Sequence, residues 1–302
     1  MKRRMTTENK LSAVAAADTG AARKPRKKPF LASAIGAVFG FAGTVAPGAT
    51  AKVVQKLLFT PTRLKPSEPG RSVLAQARAE PHEIDGQTVY YYVWGDSGPR
   101  VLLVHGWGGD AAQMTAYVEP LRQRGCQVVA IDMPAHGRST GKQASVRHFE
   151  PCVAHAAQAY GPFHGVIAHS LGAAAVTFAL SRGFTVERAV FLGPVSRYDS
   201  VWEYSRRMMN LPPKVMPLVL KRAQDWLGIT FPEMEPARLA PSMTTPLLIV
   251  HDRADRESPY EDAAVLAQAW PGAELVATEK MGHTRALRDP ALVAQVAAFA
   301  AQ

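Results

Sequence analysis

The stretch GVIAHSLGAAAV, residues 165–176, is an apolar run that stops at one serine and resumes as a chain of alanines. Gly165, Val166 and Ile167 read as the end of a buried strand, and Ala173, Ala174 and Ala175 as the first turns of a helix, so Ser170 falls at the junction. Two positions to either side stand Ala168 and Gly172, which have almost no side chain. A chain turning sharply from strand to helix brings those two positions together, where larger residues would clash. The serine is therefore expected at the tip of a tight turn, with its hydroxyl held out.

Outward from this turn the chain alternates. Short apolar runs rich in β-branched residues, RVLLVHG (100–106), QVVAIDMP (127–134), HGVIAHS (164–170), RAVFLGP (188–194), TPLLIVHD (245–252) and AELVATEKMG (273–282), are separated by stretches long enough for helices. Continuous apolar strands alternating with helices predict an α/β protein with a mostly parallel, doubly wound sheet covered on both faces. Upstream, Asp85 and Gly86 between two strand-like pieces signal a hairpin, which brings the expected count to about eight strands. One interval breaks the rhythm. Residues 197–243 read as helices split by Pro212 and Pro213, an insertion between strands 6 and 7 placed where a lid would sit.

The chain of 302 residues is 47% hydrophobic and 20% charged, the balance of a globular protein with one large core. Its formal charge of +10 suggests nucleic acid until its position is considered. Residues 1–29 hold nine Lys or Arg against Glu8 and Asp18, a net +7 that leaves only +3 for everything else. A body so near balance argues against a nucleic-acid groove, and residues 1–29 read as a basic disordered tail. Residues 30–71 follow as an apolar helical segment and linker, uncharged from Pro29 to Ala51, with Val53, Val54, Leu57 and Leu58 on one helical face further on. Three fates compete for residues 30–51: a membrane anchor, a signal peptide ending near Ala49–Ala51, or a helix packed on the domain. The expected location is cytoplasmic, with inner-membrane anchoring or export as the alternatives and membrane contact through residues 30–51 as a candidate. The main body would then span 72–302. Cys126 and Cys152 occur without CxxC or histidine at ligand spacing, so neither a disulfide framework nor a metal site is expected.

In a parallel sheet the active crevice lies beyond the carboxyl ends of the strands. Ser170, Asp255 and His283 all fall there, as do His105, Gly106 and Trp107. A serine hydroxyl attacks a carbonyl only when a base takes its proton, which a neutral imidazole can do. The imidazole in turn needs a carboxylate on its other nitrogen. His283 is the candidate base and Asp255 the candidate carboxylate, with Asp252 and Asp199 as alternatives. The amides of Trp107 and Leu171 are candidates for an oxyanion hole, where each donor is worth about 3 to 4 kcal/mol. His136, His148, His155 and His164 read as structural, surface or helix residues, and Asp132 as an acceptor for neighbouring amides.

In chain order, HGWGG, DMPAHGRS, AHSLG, HDRAD and MGH resemble the motifs of the α/β-hydrolase superfamily, over about residues 75–302. Within it the chain resembles small lidded bacterial serine hydrolases of esterase or lipase type. The resemblance implies Ser170, Asp255 and His283 as the triad, Trp107 and Leu171 as oxyanion donors, and His105, Gly106, Ala168 and Gly172 as structural support, with no cofactor. It departs from the family pattern at Ala168 and Ala135, where glycine is usual. The implied reaction is hydrolysis of an ester or thioester of an apolar acyl group through an acyl-enzyme. The alternatives are an acyltransferase or perhydrolase on the same triad, and a non-enzymatic membrane-associated interaction protein on a hydrolase scaffold.

Overall fold

The computed structural model describes residues 30–63 and 65–302, so the basic tail lies outside the described residues. Helices α1 (Phe30–Val45), α2 (Pro47–Leu58) and α3 (Glu68–Leu74) precede strands β1 (Arg78–Ile84), β2 (Gln87–Trp94) and β3 (Arg100–Val104). A 3-10 helix (Ala111–Tyr117) and α4 (Val118–Arg122) lead to β4 (Gln127–Asp132), α5 (Val146–Tyr160), β5 (Phe163–His169), α6 (Leu171–Ser181) and β6 (Val186–Leu192). Next come α7 (Tyr198–Met208), α8 (Val215–Leu227), α9 (Phe231–Met234) and α10 (Pro236–Leu239). The chain ends with β7 (Leu247–Asp252), α11 (Tyr260–Ala269), β8 (Glu274–Thr278), α12 (Gly282–Arg285) and α13 (Pro290–Ala300).

The eight strands form one sheet in the order β1-β2-β4-β3-β5-β6-β7-β8. β2 runs antiparallel to β1 and β4, and every pairing from β4 onward is parallel. The hairpin turns at Asp85 and Gly86, both at positive φ (49° and 72°), the backbone of a type I′ turn. Alternate residues of the central strands serve opposite layers. Leu102, Val104, Val129 and Ile131 pack with α5 and α6 residues such as Phe149 and Phe178, whereas Val101, Leu103, Val128 and Ala130 pack with Met114, Leu121 and Val296. With both faces covered, no position of these strands has to be polar, which is why they read as unbroken apolar runs.

Four helices, α7 to α10, occupy the interval between β6 and β7. The two longer ones are split by a turn containing Pro212 and Pro213, and Gly228 ends α8 in the left-handed conformation that favours glycine. The two short ones carry no helical periodicity long enough to be read from sequence. A satellite core of Ala51, Val54, Leu211, Val215, Met216 and Val219 joins α2 to this inserted layer. Upstream of β1, Arg63 donates to the carbonyls of Gly137 (2.7 Å) and Ser139 (2.8 Å), and Trp94 Nε1 donates to Val73 O at 3.1 Å. No helix among the described residues is long and apolar enough to cross a membrane.

Candidate active site

Ser170 sits between β5 and α6 at φ 51° and ψ −118°, a left-handed conformation that costs a non-glycine residue of order 1 to 3 kcal/mol. The turn can close because its flanks are small. A Cβ on Gly172 would lie 2.5 Å from the backbone oxygen of His105, and one on Gly106 would lie 2.8 Å from the Cβ of Ser170. Ala168 is fully buried, so its single methyl fits where the family commonly has glycine. Ala135, the other departure, takes φ 66°, the conformation glycine would adopt without strain.

His283, on α12 just beyond β8, lies with Nε2 2.9 Å from Ser170 Oγ and Nδ1 2.7 Å from Asp255 Oδ2. A carboxylate only accepts, so Nδ1 carries the proton and Nε2 presents its lone pair to the serine hydroxyl. Burial alone would lower the basicity of the imidazole. The hydrogen bond and charge of Asp255 outweigh it, and the His283 pKa lies above 6.5. For Asp255, burial pushes upward, but His251 beside it and the hydrogen bond from His283 hold the carboxyl well below the usual range. Its other oxygen accepts from the amides of Glu257 (2.8 Å) and Ser258 (3.1 Å).

The three residues singled out from opposite parts of the chain therefore converge, and the alternative acids do not join them. Asp252 accepts from Met281 N (2.9 Å), Thr278 Oγ1 (3.0 Å) and Ala254 N (2.9 Å), tying down the loop that carries His283. Asp199 is exposed in the first turn of α7. Leu171 opens α6, so its amide is one of the first-turn donors with no acceptor inside the helix. Trp107 lies within the turn closed by Gly109 N on Gly106 O at 3.2 Å.

His105 and His136 hold the loop around Trp107 from behind. His105 Nδ1 donates to Gly106 O (2.7 Å) and its Nε2 accepts from Met133 N (3.0 Å); His136 Nδ1 donates to Pro134 O (2.9 Å) and its Nε2 accepts from Gly108 N (3.0 Å). Each needs a lone pair and so must be neutral. Burial lowers their pKa values to about 4 and about 3, and that of His169 to about 3. Since an ordinary histidine titrates near 6.5, the unfolded chain binds more protons at these sites as pH falls below that value, and stability drops. Burial likewise lowers His148 and His155, whereas Asp110, pushed up to about 6 by burial and by Asp132, works the other way together with the raised Asp132, Asp262 and His283. We expect a lower urea midpoint at pH 5 than at pH 7; an unchanged midpoint would mean that these imidazoles protonate without loss.

Asp132 accepts from Ala111 N, Arg138 N and Tyr92 OH at 2.8 to 2.9 Å, as an amide-binding carboxylate should. Of the remaining histidines, His148 bonds Ser145 Oγ at 2.8 Å and stacks on Trp226, His155 bonds His82, and His164 pairs with Glu187. Sequence reasoning missed three neighbours of the site. Gly193, at φ 52°, comes so close that its Cβ would lie 3.3 Å from His283 Nδ1. His169 Nε2 donates to the His283 carbonyl at 3.1 Å. His251, buried in β7, donates from Nε2 to Ser258 O (2.9 Å) and lies 3.4 Å from Asp255 Oδ2. A glycine after β6 was visible as a signal, but two histidines inside strands were not. No cluster of three or more potential metal ligands occurs among the described residues.

A cavity of about 240 Å³ opens over Ser170 and His283, walled by Phe59, Val195, Tyr198, Trp202, Phe231 and Met234. Its walls come from the end of α2, from the inserted helices and from the loops carrying Trp107, Ala144 and Val195.

The chain belongs to the alpha/beta hydrolase family, whose pattern matches residues 101–296. Membership of that family supports a hydrolase. Among solved structures, a bacterial membrane phospholipase A is similar at TM-score 0.59 and 21% identity over 89% of this chain and 94% of its own. An esterase of Pyrococcus furiosus is similar at TM-score 0.59 and 19% identity, covering 80% and 96% of the two chains. An enzyme degrading N-acyl homoserine lactones is similar at TM-score 0.57 and 18% identity, covering 72% and 98%. In sequence, the dihydrolipoyllysine-residue acetyltransferase component of the acetoin cleaving system of Cupriavidus necator is 37% identical over 62 residues. Those residues are 20% of this chain and span only 16% of that relative.

Proposed function

We propose that the protein is a serine hydrolase that cleaves an ester or thioester of an apolar acyl group through an acyl-enzyme. The observation that carries this is the unbroken relay from Ser170 Oγ through His283 to Asp255 at the floor of an apolar cavity. His283 takes the proton as Ser170 attacks the acyl carbon. Asp255 holds the imidazole in the required tautomer and stabilises the cation that forms. The amides of Leu171 and Trp107 receive the negative charge on the carbonyl oxygen. His283 then protonates the leaving group, and a water activated in the same way releases the acid. The aromatic walls supplied by Tyr198, Trp202 and Phe231 suit the acyl chain, with the helices of residues 197–243 acting as the lid.

Labelling by a fluorophosphonate probe tests the nucleophile. The parent chain should react and a long-chain ester should compete with the probe; equal labelling of Ser170→Ala would end the assignment. The pH profile tests the base. Because His283 must be neutral and its pKa is raised, kcat/KM should fall as pH drops through an acid limb centred above 6.5. Asp255→Asn should move that limb downward, and a parent limb below 6.5 would contradict the role given to His283.

A further inference from the structure

Helix α1 packs on the protein through glycine. A Cβ on Gly43 would lie 2.8 Å from Pro212 Cδ and one on Gly40 would lie 3.0 Å from Asn210 Nδ2, so one side of the helix is pressed against the turn between α7 and α8. Asn210 Nδ2 donates to Gly36 O at 3.3 Å and Lys214 Nζ to Thr44 O at 2.9 Å, pinning both ends of that contact. At 100° per residue the opposite side carries Val38, Phe41 and Val45, which are 65%, 74% and 69% exposed. An apolar residue alone on a surface is ordinary, but three in register on an uncharged helix form a face that ought to be covered. α2 continues the pattern, with Val53 and Leu57 each 51% exposed beside Lys52 and Lys56.

What covers this face is indicated by charge. The residues just before α1 include Arg23, Lys24, Arg26, Lys27 and Lys28, whereas positions 30–51 have no charge at all. A basic run abutting an apolar helix face matches a surface that is anionic outside and hydrocarbon beneath. With 16 residues, α1 is about 24 Å long, short of the roughly 30 Å needed to span, and its glycine side is already committed to the protein. We propose that α1 lies along the surface of an anionic phospholipid bilayer, with Val38, Phe41 and Val45 inserted below the headgroups and the exposed Lys52 and Lys56 of α2 near the phosphates. From α1 the chain runs through α2 to the cavity over Ser170, which Leu58 and Phe59 line at the end of α2.

The full-length chain should sediment with vesicles of phosphatidylglycerol mixed with phosphatidylcholine, and not with phosphatidylcholine alone. A Val38→Ser/Phe41→Ser/Val45→Ser variant should bind roughly tenfold or more weakly, as should a chain with the five basic residues changed to Gln. Both keep the fold, since the first alters exposed side chains and the second residues preceding α1; unchanged circular dichroism and melting check this. High salt should release the bound protein. Ser170→Ala should bind vesicles like the parent, so failure of the hydrolase assignment and failure of this one are distinguishable. Undiminished binding by the apolar-face variant overturns the proposal. So does resistance to salt and alkaline carbonate, which would mean a spanning segment. A dimer in sedimentation velocity that is lost in the apolar-face variant, with no vesicle binding, would make the occupant a second copy of the chain.

Discussion

Ser170→Ala is expected to lower kcat/KM for a p-nitrophenyl ester by about 10⁴- to 10⁶-fold while leaving the melting temperature nearly unchanged. The size follows from the relay. On the proposed mechanism no acyl-enzyme forms without the hydroxyl, and what survives is the catalysis that binding and the oxyanion donors give to water. The small effect on stability follows from the backbone: alanine at φ 51° is strained to the same degree as serine, and the hydroxyl lost makes its one side-chain hydrogen bond to His283. Asp255→Asn should lower kcat by about 10⁴-fold, because an amide cannot hold the imidazole with a proton on Nδ1 and a lone pair on Nε2. Asp252→Asn should behave differently. Asp252 accepts hydrogen bonds from Met281, Thr278 and Ala254 and touches no catalytic atom, so stability should fall more than kcat. Steady-state kinetics with thermal melts on the three variants separate these cases; a larger kcat loss for Asp252→Asn than for Asp255→Asn would reassign the acid.

The second large effect is structural. Gly172→Ala is expected to destabilise the protein by about 3 kcal/mol, because the added methyl meets the backbone oxygens of His105 at 2.5 Å and Val104 at 2.9 Å. Backbone cannot swing aside as a side chain can, so either α6 or the loop after β3 must shift. The same shift separates the amides of Leu171 and Trp107, and activity should drop along with stability. For a chain of this size the loss corresponds to a melting temperature lower by about 6 to 12 °C. Differential scanning calorimetry reads it directly, and a variant that melts like the parent would show that the turn has slack. Ala168, on the other flank, is already alanine and fully buried, so the two sides of the turn differ in how much volume they tolerate.

The parts legible in sequence are those governed by local pattern. Apolar runs of strand length mark β3 to β7 because these strands are largely buried on both faces, and Asp85-Gly86 marks the hairpin because both residues take positive φ. Small residues around Ser170 mark the sharp turn for a similar reason, since the backbone there leaves no room. Pro212 and Pro213 mark the split between α7 and α8, while α9 and α10, four residues each, are too short to show a period.

Position in chain order favours Asp255 and leaves Asp252 and Asp199 open as alternatives, since all three lie at or just beyond the ends of strands. The choice depends on which carboxylate the sheet twist and the β7 turn bring within 2.7 Å of His283 Nδ1. The same limit applies to His169 and His251, whose roles exist only through contacts with residues more than a hundred positions away or across a turn. It applies also to residues 30–51, where composition alone left an anchor, a leader and a packed helix open. Three glycines pressed on the α7–α8 turn show how α1 sits on the domain, while its opposite face is left open. Sequence by itself determined where the chain must turn, which runs must be buried and which side chains could carry chemistry, because those depend on neighbours along the chain. Tertiary structure alone decided which carboxylate meets the imidazole, what walls the cavity and which side of α1 is covered, because those depend on distances that only the assembled sheet sets.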